Sequence, residues 1–309
     1  MIERAGELAA LATAGCWVVT ALAFEAAGKR IGSLSLNLIR LVMSLVPLSL
    51  WGLLGRGHAL PLDAEPSAWA WLTVSGLIGF TLGDLCLFRA FVLIGPRLST
   101  LIMASVPVWT SMFGFVFLGE RLAPRELLGI ALTVAGIAWA VSQRKPTSSP
   151  TDEQRGASEP PPSRFRLASS GIVLALAGAL GQAIGLVLSK HGMGDYDPFA
   201  ATQIRVLAGI AGFSVVITMS SWWPRVREAV RDTKAMAPAA LGAVFGPFLG
   251  VGMSLLAVQL APTGVASSVM ATTPILLLPV SWMRGEKFGW AGALGAVIAV
   301  AGVALLFAS

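Results

Sequence analysis

The chain has 309 residues, 55% of them hydrophobic and only 12% charged, with a mean hydropathy of +0.77. Soluble domains carry about a quarter charged residues, so this composition excludes a water-covered surface and assigns the chain to lipid. The net charge of +6 does not point to nucleic acid, because the Lys and Arg residues stand between apolar runs instead of gathering on one face.

A spanning helix needs about 20 mostly apolar residues. Ten such runs occur, at 8–27, 34–54, 69–94, 99–118, 127–141, 167–189, 199–223, 235–260, 264–283 and 288–308. The first is read as a retained helix and not a cleaved leader, since it carries Glu25 and is followed by Lys29-Arg30 without a small-residue cleavage pattern. Between the fifth and sixth runs lies the one long hydrophilic stretch, 142–166, with Pro146, Pro150 and Pro160 to Pro162. Such a composition cannot bury enough apolar area to offset the entropy of ordering, so it reads as a flexible linker. It separates 1–141 from 167–309, five runs from five.

The two parts are copies. Moving 88–141 forward by 166 places lays it on 254–307, with Pro96 on Pro262, Gly119-Glu120 on Gly285-Glu286, Leu128-Gly129 on Leu294-Gly295 and Val134-Ala135-Gly136 on Val300-Ala301-Gly302. Met103 to Pro107 answers Met270 to Pro274 once one residue is gapped. A unit that crosses the bilayer an odd number of times leaves its copy to enter from the opposite side, so the repeat is expected to be inverted. The expected fold is an all-α integral membrane protein, with ten transmembrane helices in two inverted five-helix repeats.

Of the 22 Lys and Arg, fourteen fall in loops after odd-numbered runs, five on the other side, and Arg40, Arg89 and Arg205 lie within runs. The positive-inside rule then puts the linker in the cytoplasm and both termini outside. Most tryptophans sit at run ends, the level of the bilayer interface, whereas Trp17 and Trp109 fall near the middle of theirs, where an indole N–H needs a partner or a cavity.

Embedded charges cost roughly 2.5 to 3.5 kcal/mol each on insertion scales, so they face a partner, the bundle interior or a wet cavity. Glu25 and Arg89 lie near helix ends and can snorkel; Arg40 and Arg205 occupy matching places in the two copies. Asp84 is deep in the third run, and its counterpart under the offset is Gly250, so one copy alone carries the acid. Arg89, five residues on, stands about 140° round a helix from Asp84, too far to pair well, so Asp84 seeks a partner on another helix. That acid is either a proton or cation site or a hydrogen-bonded clasp between helices.

Pro107 and Pro274 interrupt runs four and nine at equal depth, and each frees a carbonyl that protein or a cavity must satisfy. A central pathway along these two runs, flanked by runs one, three, six and eight, is the expectation. Gly181 to Gly185 and Gly246 to Gly250 are spaced for close helix contact. Gln182, Gln203 and Gln259 serve either a solute or a neighbouring helix. Cys16 and Cys86 lie inside apolar runs and form no disulfide or metal framework; no hydrolase, zinc or phosphate-loop motif occurs.

The stretch Pro107 to Phe117-Leu118-Gly119-Glu120-Arg121-Leu122-Ala123-Pro124, Leu128-Gly129 and Ala135-Gly136, with its second copy Pro274, Gly285-Glu286-Lys287, Gly295 and Ala301-Gly302, resembles the EamA domain of the drug/metabolite transporter superfamily. The resemblance covers nearly the whole chain as two tandem domains. It implies a non-enzymatic secondary transporter of a small solute, often an exporter of amino acids, metabolites or toxic compounds, in the bacterial cytoplasmic membrane. It also implies both termini in the cytoplasm, opposite to the charge count. Two other readings stand beside it: a translocator of lipid-linked head groups and a non-transporting scaffold.

The substrate-cavity candidates are Trp17, Arg40, Asp84, Arg89, Pro107, Trp109, Gln182, Arg205, Gln259 and Pro274; the proton-coupling candidates are Glu25 and Asp84. The expected partners are a small-molecule solute and the bilayer, with no nucleic acid, no cofactor and no metal, in a monomer.

Overall fold

The computed structural model describes residues 4–142, 164–283 and 290–307, and among them every regular element is a helix. The first half comprises α1 (Ala5–Ile31), α2 (Ser33–Arg56), α3 (Pro66–Gly76), a π-helical turn (Leu77–Gly83), α4 (Asp84–Met103), α5 (Val106–Leu118) and α6 (Pro124–Ser142). The second begins with α7 (Arg164–Met193), α8 (Pro198–Met219), α9 (Trp223–Arg231), α10 (Thr233–Ala243) and a second π-helical turn (Val244–Gly250). It continues through α11 (Val251–Leu260), α12 (Thr263–Met270), α13 (Thr273–Leu276), α14 (Leu278–Met283) and α15 (Trp290–Phe307). Of the linker read at 142–166, Ser142 is the last residue of α6 and 164–166 are already the first turn of α7, where the helices run further than the apolar runs do; the remainder, 143–163, and the Gly285-Glu286 turn lie outside the described residues.

Nine helices among the described residues are long and apolar enough to cross a membrane. The run at 264–283 is not one helix but three short ones, α12 to α14. Pro274 and Pro279 remove backbone donors there, and the chain tightens at 271–272, where Thr272 N–H donates to Val269 O at 3.1 Å. Runs three and four differ in another way, since helical backbone joins the spans Pro66–Ala90 and Leu98–Leu118, and the break comes later, at 104–105, ahead of Pro107. The run at 199–223 stops at Met219. A separate short helix, α9, then carries Arg225, Arg227 and Arg231 outward and buries Val226 and Ala229.

Glycines bring the two copies together. On α6, Gly129 faces Gly302 and Leu306 of α15, while Gly136 faces Gly295 and Ala299. Numbers rise along one helix as they fall along the other, so the two run antiparallel. Gly129 and Gly295 are repeat mates, as are Gly136 and Gly302, so each glycine meets the mate of the other, which is a self-complementary contact about a local two-fold. The same opposed sense recurs where α7 meets the first π turn, with Gly181 beside Gly83 and Gly185 beside Gly79. It recurs again where α1 meets the second, with Thr20 beside Gly246 and Trp17 beside Gly250.

The π turns correct the sequence register. They are offset by 167, not 166, so the structural counterpart of Asp84 is Val251 and not Gly250. The offset of 167 that relates Met103 to Pro107 with Met270 to Pro274 therefore also relates the π turns. One copy alone still carries the acid.

Polar ties close both ends of the bundle. After α5, Gly119 takes φ +67, a left-handed value that glycine adopts without strain, and so turns Glu120 back against the second half. Glu120 accepts from Lys190 at 2.7 Å and from the Thr263 backbone N–H at 2.9 Å, and Lys190 also donates to Ala261 O at 2.8 Å. At the same end, Arg56 donates to Asp63 at 2.7 Å and to the Tyr196 hydroxyl at 2.9 Å. At the other end, Arg30 of α1 pairs with Asp232 at 2.9 Å, while Asp232 caps α10.

Two expectations follow from this packing. A Cβ at Gly295 would stand 2.6 Å from Ala140 N and 2.8 Å from Gly136 O, so Gly295→Val should cost about 1–3 kcal/mol through overpacking. Thermal unfolding of the purified protein should show the loss, with Ala135→Val, on an exposed position of α6, as a neutral control. Burial and the hydrogen bond to Asp63 push the phenol of Tyr196 up to about 12. Because Tyr196 is the single tyrosine, ultraviolet titration reads it alone, and Asp63→Asn should move its ionisation back toward 10.0. The raised value means this contact stabilises the fold fully below the unfolded pKa and is lost as pH rises through about 12.

Candidate functional site

A cavity of about 300 Å³ lies between the two halves, at the small end of the range for ligand pockets. Its wall is built from repeat mates. Thr100 and Ser267, Met103 and Met270, Ala104 and Ala271, and Val106 and Thr273 all line it, each pair separated by 167 positions. Trp17 and Gln182, separated by 165 like Arg40 and Arg205, line it too. The local two-fold therefore passes through the cavity. Two of the helix breaks, Met103 to Val106 and Met270 to Thr273, open onto it, and irregular backbone at membrane depth is tolerated where it lines such a space.

Asp84 sits behind this wall, first in α4 after the π turn, and is 7% exposed. Its carboxylate accepts the Arg40 guanidinium from α2 and Gln182 Nε2 from α7, the latter at 3.1 Å. Gln182 Nε2 also reaches Gly79 O, in the π turn, at 3.3 Å. The side chains of Arg40 and Asp84 are 13% and 11% exposed, and the Arg40 guanidinium lies 5.3 Å over the Phe24 ring. The acid is thus a clasp tying α2, α4 and α7, with Gln182 presenting its other side to the cavity.

Arg205 has a different environment. It is 5% exposed, lies 5.0 Å over the Phe80 ring and lines the cavity, yet its guanidinium makes no hydrogen bond or ion pair with any described residue. Ser254, Ser267, Thr100 and Thr273 supply neutral hydroxyls to the wall; among the described residues that line it, Arg205 is the one that carries a charge.

Of the sequence candidates, the cavity gathers Trp17, Gln182, Arg205 and Pro274, with Asp84 and Arg40 paired behind them. Pro107 is buried off the cavity wall, and Trp109 donates its indole N–H to Ser105 Oγ at 3.1 Å. Arg89 is exposed and does not line the cavity. Gln259 braces the loop before α8, donating to Gly194 O at 2.7 Å and Tyr196 O at 3.1 Å. Glu25 is exposed and pairs with Lys29 at 2.6 Å. Phe80, Met103, Met270, Thr100 and Ser267 were not singled out from sequence; the repeat itself carried the signal, because the mates flank its one-residue gap.

A model of the EamA-like transporter family matches residues 4–142 and again 169–308. The chain belongs to the EamA-like transporter family. Its two EamA units are the two halves that meet at the cavity, and the protein is a multi-pass membrane transporter by family and by its apolar helices. No curated protein matches this EamA-like transporter. One solved crystal structure is 19% identical with a TM-score of 0.72, over 97% of this chain and 95% of its own, a likeness that concerns the fold alone.

Removing one partner of a buried pair leaves an uncompensated charge, so Arg40→Gln should destabilise the transporter by about 3–5 kcal/mol. Replacing both, Arg40→Leu with Asp84→Leu, should recover most of that loss in thermal or chemical unfolding, since two charges leave the core together.

Proposed function

We propose that this EamA-like transporter is a secondary transporter that moves a small metabolite, amino acid or drug-like solute out across the bacterial cytoplasmic membrane. It works as a monomer of ten spans in two inverted five-helix repeats, and the two repeats rock about the cavity in alternating access. The observation that carries this reading is a cavity walled by repeat mates, since a solute site on the two-fold is equally accessible to either side when the halves tilt. The antiparallel glycine contacts of α6 with α15 support the inversion.

The polar ties support the rocking. Arg30–Asp232 joins the two halves at one end and Lys190–Glu120 joins them at the other. Breaking one set while keeping the other opens the cavity to one side at a time. Outward direction follows the family resemblance. Where flux is driven by a proton gradient, Asp84 is the coupling acid, because it alone of the two embedded candidates adjoins the cavity wall through Gln182. A scaffold calls for a dry, filled centre, which a cavity of about 300 Å³ argues against.

Counterflow in proteoliposomes against a solute panel tests the proposal. Met103→Trp and Met270→Trp fill the cavity from opposite mates, and each should cut flux about tenfold or more while leaving the unfolding temperature near that of the parent protein. Unchanged flux in both would separate transport from this cavity. Under an imposed pH gradient, Asp84→Asn should lose gradient dependence and Glu25→Gln should keep it.

A further inference from the structure

The two halves are alike at the arginines and unlike at the acid. Arg40 and Arg205 are mates, and each rests its guanidinium over a phenylalanine ring. In the first half Asp84 meets Arg40; in the second, the place of Asp84 is taken by Val251, which lines the same cavity as Arg205. The acid within electrostatic reach of Arg205 is Asp84 itself, and both its oxygens are engaged by Arg40 and Gln182. Two guanidinium groups and one carboxylate leave one positive charge over, and it faces the cavity. A guanidinium does not shed its proton in a protein, so the excess charge persists until an anion arrives.

From this asymmetry we propose that the cavity takes an organic monoanion, a carboxylate on a compact apolar body, with the carboxylate held by Arg205. The inference rests on the transport reading for the purpose of the site and on the Arg205 environment for its charge. The planar guanidinium fork matches a carboxylate in two parallel hydrogen bonds. Trp17, Phe80, Met103 and Met270 supply an apolar wall for the rest of the solute. Among the described residues that line the cavity none is acidic, so an ammonium group gains no counter-charge, and cations and zwitterions are disfavoured.

The test uses the full-length protein in lipid nanodiscs and three probes of one shape, phenylacetate, phenylacetamide and phenethylamine, with binding read by tryptophan fluorescence and calorimetry. Phenylacetate should bind about tenfold or more tightly than either of the others. Arg205→Gln should bring it down to the amide, and Arg205→Lys should keep part of the preference. Val251→Asp places an acid at the position equivalent to Asp84, leaves Arg205 in place and should abolish the preference by supplying an internal partner; it decides the matter if Arg205→Gln does not fold. Equal binding of the three probes, tighter binding of the amine, no binding of phenylacetate to the folded parent protein, or an undiminished preference in folded Arg205→Gln or folded Val251→Asp overturns the proposal. Charge-selective binding without flux in proteoliposomes sinks the transport reading and leaves this one standing. Flux of solutes with no charge selection does the reverse.

Discussion

The buried ion pair of Arg40 with Asp84 is the constraint around which the centre of this transporter is arranged. An acid at membrane depth has no water to turn to, so it must be paired or neutral. Arg40 from α2 and Gln182 from α7 meet that need, and in doing so they lock one helix of the second half against two of the first. The pair is also what makes the two halves unequal, because the second copy has Val251 where the first has the acid. The cavity thereby acquires a charged wall on one side only.

The remainder of the architecture brings backbones close enough for that arrangement to exist. Lipid offers no hydrophobic drive between helices, so close packing of small residues has to hold them. Gly79 and Gly83 against α7, and Gly246 and Gly250 against α1, place the π turns within contact of the opposite half. The π turns stand at the site itself, and Gln182 donates to Gly79 O in the first of them while holding Asp84. Two helix breaks, Met103 to Val106 and Met270 to Thr273, likewise open onto the cavity.

Much of this was legible in the residues. The duplication was written in Gly119-Glu120 and Gly285-Glu286 and in the glycines of α6 and α15, and the one-residue gap near Pro107 marked the stretch that turned out to line the cavity. The angular separation of Asp84 from Arg89 required a partner on another helix, and two helices supply one. The identity of that partner was not legible, since Arg40, Arg205 and Gln182 lie at comparable depth on three different spans. Nor was the direction in which Trp109, Pro107 and Gln259 point. Depth along a span can be counted from its ends, but azimuth is read from periodicity, and helices that are apolar all round carry little of it.

By itself, then, the sequence determined the solvent, the number of apolar runs and the fact of duplication, because each of these depends on composition or on order along the chain. Tertiary structure alone decided which arginine is neutralised and which faces the cavity, that the ninth run is broken in three, and that Val251 answers Asp84. The physical reason is that in a membrane the lipid-facing and protein-facing sides of a helix are made of the same residues, so the pattern that separates inside from outside in water is absent, and only contact between helices distinguishes them.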